Sequence, residues 1–174
     1  MRIVHVLDHS IPAVSDYATC TISLLRALRE MGCQTWQMTG GRHESGDLRQ
    51  ETVDGWTFER TPRVPGLLTG VRLFDEIELM GDLTYRIEQV VRRVKPQIIH
   101  VHSPALNALP ALRVGRRVGC PVVYQVHGPW DGVEALTSGH GGGWLKRRIL
   151  RVVENLALRN TDAVIATSET LRSA

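Results

Sequence analysis

Apolar residues fall into two kinds of run along this chain. Short, near-continuous runs occur at Ile3–Leu7, Gln97–His102, Val122–His127 and Ala163–Thr167. They do not alternate cleanly with polar residues, which is the pattern of strands buried on both faces. Between them, apolar residues recur at helical spacing. Ile22, Leu25, Leu28 and Met31 share one face, and Gly32 supplies a stop signal. Leu83, Ile87, Val90, Val91 and Val94 form a longer stripe that Pro96 terminates. Leu145, Ile149, Val152, Val153 and Leu156 repeat that stripe, predicting a third inward-facing helix. A weaker helical period runs from about Ala105 to Val118, where Pro110 is expected to kink or delay the helix. Gln34–Thr39 and Trp56–Arg60 are further strands, and Asp54-Gly55 before Trp56 is a type I′ hairpin signal. Pro62 to Asp75 is expected to be an irregular surface loop with a short helix. Strands alternating with helices predict a Rossmann-like α/β domain, a parallel sheet with helices on both faces. Thr167 to Arg172 reads as a strand end, an N-cap and one helical turn, which suggests a fragment of a longer chain.

Composition adds few constraints. The 174 residues are 43% hydrophobic and 22% charged, values of a folded globular domain. Arg2 is followed at once by a strand-length apolar run, unlike a signal peptide, and no apolar stretch could span a bilayer. A cytoplasmic location is the resulting expectation. Cys20, Cys33 and Cys120 form no metal or CxxC pattern and read as reduced core or near-core thiols. Charge is uneven: residues 1–100 carry 12 basic and 13 acidic side chains, residues 101–174 carry 9 and 5. The basic second part suits an anionic partner or simply a solvated surface. Trp144, Lys146, Arg147, Arg148 and Arg151 would allow peripheral contact with an anionic membrane, or form the wet side of a packed helix. Nothing combines aromatic and basic residues as a nucleic-acid platform does, so nucleic acid is not an expected partner.

In open parallel sheets ligands bind beyond the carboxyl ends of the strands. Those ends carry Asp8-His9-Ser10, His102-Ser103-Pro104, His127-Gly128-Pro129 and Ser168-Glu169. The loop after the first strand, "LDHSIPAVSDYATC", lacks the glycines of a phosphate loop and has Ser15 and Asp16 instead. His127 closes a strand, and Gly128 after it allows a ligand to approach, so His127 is placed to bond a sugar hydroxyl or phosphate, to act in proton transfer, or merely to cap the strand. His100 and His102 lie two apart and share a strand face. Such a pair can ligate zinc or iron, but no third ligand stands out, and no metal is expected. His5 reads as a satisfied core histidine and His43 as a loop residue. Ser138–Gly143 reads as a connector or a lid.

In order and spacing, "MRIVHVLDHS", "LLRALREMGCQTW", "VDGWTFERTP", "KPQIIHVHSP", "PVVYQVHG" and "NTDAVIATSETLR" resemble the N-terminal domain of family 4 glycosyltransferases, which have the two-domain GT-B fold. Some segments are similar to a bacterial branch linked to exosortase and exopolysaccharide loci. The resemblance implies a retaining transferase moving a sugar from a nucleotide-sugar donor to a polysaccharide or lipid-linked acceptor. It implies no metal or other cofactor. Residues 1–174 would then be the acceptor-side domain, and the nucleotide-binding domain would lie outside this chain, leaving it inactive by itself. The family histidine maps to His127, where it contacts the donor sugar and helps stabilise the reacting centre. Substrate contacts are expected from Ser15, Asp16, Tyr17, His102, Ser103, Gly128, Ser168 and Glu169. Asp16 stands where the family has glycine. A carboxylate there opposes a diphosphate, so it is expected to read acceptor hydroxyls or to cap a helix beginning near Tyr17. The exosortase-linked branch often lacks the histidine at 127, so there the chain resembles the broader family. The alternative class is a non-catalytic Rossmann-like module for a nucleotide or partner protein. A metal-dependent hydrolase built on His100 and His102 is a third reading.

Overall fold

A computed structural model of the protein describes residues 1–43, 48–62, 72–128 and 143–173, and only the backbone of 72–74 and 143–147 within them. The strands are β1 Arg2–Leu7, β2 Gln34–Thr39, β3 Gln50–Val53, β4 Trp56–Glu59, β5 Ile98–His102, β6 Val122–Val126 and β7 Ala163–Ala166. The helices are α1 Asp16–Glu30, α2 Arg72–Val94, α3 Ala105–Val118, α4 Gly143–Asn160 and α5 Glu169–Arg172. The strands form one sheet in the order β3-β4-β2-β1-β5-β6-β7. Every pairing is parallel except β3 with β4. This is the expected Rossmann-like architecture. The antiparallel edge hairpin turns on Asp54 and Gly55, with φ of 50° and 77°, as a type I′ turn requires.

Side-chain alternation sorts the sheet into two faces. Val4, Val6, Ile99, Val101, Val122 and Tyr124 pack with Leu83, Ile87 and Val90 of α2 and Ala108, Ala111 and Val114 of α3. The opposite face carries Thr35, to which Arg29 of α1 donates from Nε at 2.7 Å. It also carries His5, His100 and His102, one residue out of phase with the apolar set. Gly115 lets α3 lie close to β6: a Cβ there would stand 2.6 Å from Val122 Cγ2 and 2.7 Å from the Cys120 carbonyl.

Several expectations are corrected. Helix α2 begins at Arg72, so the tail of the expected loop is helical; residues 63–71 lie outside the described set. Helix α3 starts at Ala105 and runs through Pro110 without delay. Met31 is the C-cap, just past the last helical residue Glu30, and is exposed to 71%. Of the α4 stripe, Val153 packs on the core as expected, but Ile149, Val152 and Leu156 are exposed, and Ala157 is the buried residue of the helix among those described. Cys20 is exposed on α1, whereas Cys33 and Cys120 are half-buried, and all three are free thiols. The side chains of Trp144 to Arg147 and the Ser138–Gly143 segment up to 142 lie outside the described residues. No helix among the described residues is long and apolar enough to cross a membrane.

Candidate functional site at the carboxyl edge of the sheet

Parallel pairing of β1, β5, β6 and β7 brings their carboxyl ends to one edge. The first loop runs from Asp8 to Ser15 and is held from both sides. Ser15 is the N-cap of α1, accepting from the Ala18 N–H at 3.0 Å. Asp16 is therefore not the cap. It is an exposed residue of the first helical turn, where a negative charge is favoured by the helix dipole. Tyr17 leans back over the loop, and its hydroxyl accepts from the Asp8 N–H at 3.1 Å.

Arg60 anchors the loop from below. Fully buried, it donates to Ser10 Oγ at 2.6 Å, to the Ile11 carbonyl at 3.0 Å, and through Nη2 to Glu51 at 2.6 Å. Its guanidinium also covers the Phe58 ring at 4.7 Å. An isolated buried cation would be intolerable, and Glu51 is what makes this one stable.

A row of rings then runs from the loop into the core. His9 stacks on Tyr17 with centroids 4.5 Å apart, and His9 Nε2 meets Ser15 Oγ at 2.7 Å. Tyr17 packs against His127 at 4.8 Å. His127 Nε2 lies 3.0 Å from His102 Nδ1, and His102 Nε2 lies 3.3 Å from His5 Nδ1. His100 stacks on His102 at 4.5 Å. Ser103 fixes the backbone of the same corner, its Oγ accepting from the His127 N–H at 3.3 Å.

Burial dominates the electrostatics of this row. It holds His5 and His102 well below the usual histidine range, and the neighbouring histidines push further in the same direction. His100 is lowered to about 4, chiefly by burial, against an upward pull from its hydrogen bond to Gln125. The inner imidazoles are thus neutral at physiological pH. His5, His100 and His102 each offer one ring nitrogen within 4.8 Å of the others, so His5 is the third partner that linear spacing could not reveal. Their ligand type would suit zinc. However, the His100 and His102 rings stack at 24°, so their in-plane lone pairs run side by side instead of converging. As placed, the cluster is arranged for ring-to-ring contact, and a shared metal would require turning a ring.

Among the described residues the edge is rich in imidazole and hydroxyl groups and has little uncompensated positive charge. Arg42 pairs with Glu76 and lies 3.6 Å from Asp8, and Arg60 is closed off by Glu51. Of the expected residues, Ser15, Tyr17, His102, Ser103 and His127 come together here. Gly128 follows His127 directly. Asp16 sits beside Tyr17 but faces solvent. Ser168 and Glu169 lie one strand further out, where Ser168 caps α5 by accepting from the Leu171 N–H and Glu169 pairs with Arg172. Thr167 is the residue there that touches the corner, donating to the His127 carbonyl at 3.2 Å.

The strand-end rule placed His9 at this edge without counting it among the substrate contacts, whereas Arg60 was not foreseen, since nothing local points to it. His5 was misjudged: it is fully buried, but among the described residues its Nε2 has no hydrogen-bond partner, so it is not a satisfied core histidine. His43 is a turn residue as expected, though a buried one.

A family model described as a glycosyl transferase 4-like domain matches residues 17–174. A GDP-mannose-dependent alpha-mannosyltransferase of Mycobacterium tuberculosis (strain CDC 1551 / Oshkosh) is 27% identical over 133 residues, covering 74% of this chain and 33% of the relative. The chain therefore spans about a third of that protein. Among solved structures, sucrose-phosphate synthase from Thermosynechococcus elongatus superposes with a TM-score of 0.69 at 15% identity, over 99% of this chain and 43% of the other. UDP-GlcNAc 2-epimerase from Methanocaldococcus jannaschii gives 0.59 at 13% identity, over 99% and 41%. At such identities the likeness is one of fold, shared by a synthase and an epimerase alike.

Proposed function

The chain belongs to the glycosyl transferase 4-like family, and from that premise we propose that it is the acceptor-side half of a retaining glycosyltransferase using a nucleotide-sugar donor. The observation that carries this reading is the chemistry of the carboxyl edge. A row of imidazoles, neutral at its buried end, the Tyr17 ring and the Ser15 and Ser103 hydroxyls suits sugar hydroxyls, which need donors and acceptors at short range. A diphosphate is best matched by cations, and among the described residues the arginines that reach the cluster, Arg42 and Arg60, are already paired with Glu76 and Glu51. The diphosphate would therefore be held mainly by a second domain. The GDP-mannose-dependent relative supports a nucleotide-activated hexose as donor, and the hydroxyl-reading edge suits a glycan or glycolipid acceptor.

In this reading His127 sits where donor and acceptor meet. Positive charge develops at the anomeric carbon while the diphosphate departs, and oriented dipoles aimed at that charge lower the barrier. An imidazole held from behind supplies such a dipole, and no metal or separate cofactor is called for. Exopolysaccharide or glycolipid assembly at the inner face of a membrane is the setting this reading favours. Arg148 and Arg151, exposed on α4, are described side chains that would face lipid.

The experiment is transfer by the complete two-domain protein, measured with GDP-mannose and UDP-sugars, for the natural sequence and for His127→Ala. Loss of an oriented group of this kind is expected to lower kcat by about 100-fold or more. Unchanged turnover in the folded variant would return His127 to a structural role. Binding of a nucleotide sugar without any transfer would favour the non-catalytic module.

A further inference from the structure

A neutral imidazole carries one ring proton, so a contact between two such rings needs a donor nitrogen on one and an acceptor on the other. His5 presents Nδ1 to His102 Nε2, and His102 presents Nδ1 to His127 Nε2. His102 is fully enclosed and, kept neutral by its burial, donates from only one of its nitrogens. If it donates from Nδ1, His127 Nε2 must accept and His5 Nδ1 must donate. If it donates from Nε2, both relations reverse. In either case all three rings carry their proton on the same kind of nitrogen. One ring out of step would set lone pair against lone pair, or N–H against N–H, in a dry interior.

We propose that His102, backed by His5, is a positioning residue that locks the ring orientation and the tautomer of His127. The lock is two-handed, because the next residue, Ser103, holds the His127 backbone N–H. One end of β5 thus fixes both the ring and the main chain of the residue that closes β6. The row ends in the core at His5 Nε2, which has no hydrogen-bond partner among the described residues. The device holds a ring still.

The value of the lock for sugar transfer rests on the function proposed above, but the lock itself does not. It is tested on the 174-residue chain labelled with 15N-histidine, using long-range 1H–15N correlation at pH 8, above the ordinary histidine pKa. The tautomer of each ring is read from its nitrogen shifts and coupling pattern. His5, His102 and His127 are expected to show one shared tautomer, each in about tenfold excess or more over the other form. In His102→Leu, His127 should relax to a mixture. Should that variant not fold, His5→Leu keeps the outer contact, and His102 and His127 should still match. Unlike tautomers, a mixed His127 in the natural chain, or an unchanged His127 in folded His102→Leu would overturn the proposal. A two-domain protein that transfers no sugar would sink the proposed function and leave this lock standing.

Discussion

At the scale of single residues, the histidines dominate both chemistry and stability. A histidine whose pKa is lowered on folding binds fewer protons folded than unfolded, so stability falls as pH drops below the unfolded value near 6.5. The loss continues until the folded pKa is reached. For His100, lowered to about 4, that difference is on the order of 3 kcal/mol. His5 and His102 shift in the same direction and add to it. Denaturation midpoints should therefore hold steady from pH 8 to about 6.5 and decline steadily toward pH 4. A flat profile across that window would mean the inner row is hydrated. Asp16 makes a second residue-scale prediction. It is exposed beside Tyr17 at the rim of the edge, and on the proposed function it is expected to read acceptor hydroxyls. Asp16→Asn in the complete enzyme should raise the acceptor KM several-fold and leave the donor KM unchanged. A lower donor KM would show that Asp16 opposes the diphosphate. Much of this corner was legible from strand ends alone, because polar residues that close buried strands have few other places to go. The pairing of His5 with His102 was not, since it depends on the register of β1 with β5, 97 positions apart. Arg60 was hidden for a related reason, as its loop partner Ser10 lies 50 positions away.

Elements were easier to read than the faces they bury. Every long apolar stripe became a helix and every near-continuous run a strand, because hydrophobic period and backbone geometry are the same constraint seen twice. Which part of the α4 stripe turns inward was only partly legible. Val153 of that stripe packs on the core, but Ile149, Val152 and Leu156 are exposed, and Ala157, outside the stripe, is buried because the neighbour that α4 meets is α3. Period alone gives a stripe without saying what will stand opposite it. Glycines on helices show the same dependence on neighbours. Gly115→Ala should destabilise the chain by about 1–3 kcal/mol, because its Cβ would run into Val122 Cγ2 and the Cys120 carbonyl. Gly81→Ala, in α2 with nothing within 4 Å of the added carbon, should stabilise it by about 0.5–1 kcal/mol. Equal effects from the two substitutions would show that the α3–β6 approach is looser than 2.6 Å implies.

For the molecule as a whole, the doubly covered sheet places one reactive corner at its carboxyl edge and gives it hydroxyls, imidazoles and paired charges. Sugar transfer asks for two things of such an edge: an oriented acceptor beside the anomeric carbon, and compensation for the charge that leaves with the diphosphate. The first fits the residues gathered around His127. The second is poorly served, because releasing Arg42 or Arg60 to bind phosphate would leave Glu76 or Glu51 without its partner, and Arg60 would also drop the first loop. The 174-residue chain alone should therefore fold, yet show no turnover with GDP-mannose or UDP-sugars at millimolar concentration. Its affinity for free nucleoside diphosphate should be weak, with a Kd no tighter than about 1 mM, equivalent to roughly 4 kcal/mol of binding. Isothermal titration with GDP and UDP, run beside the turnover assay, measures both. Micromolar binding or robust transfer by this chain would mean that the edge handles diphosphate by itself, and the division of labour between two domains would have to be abandoned.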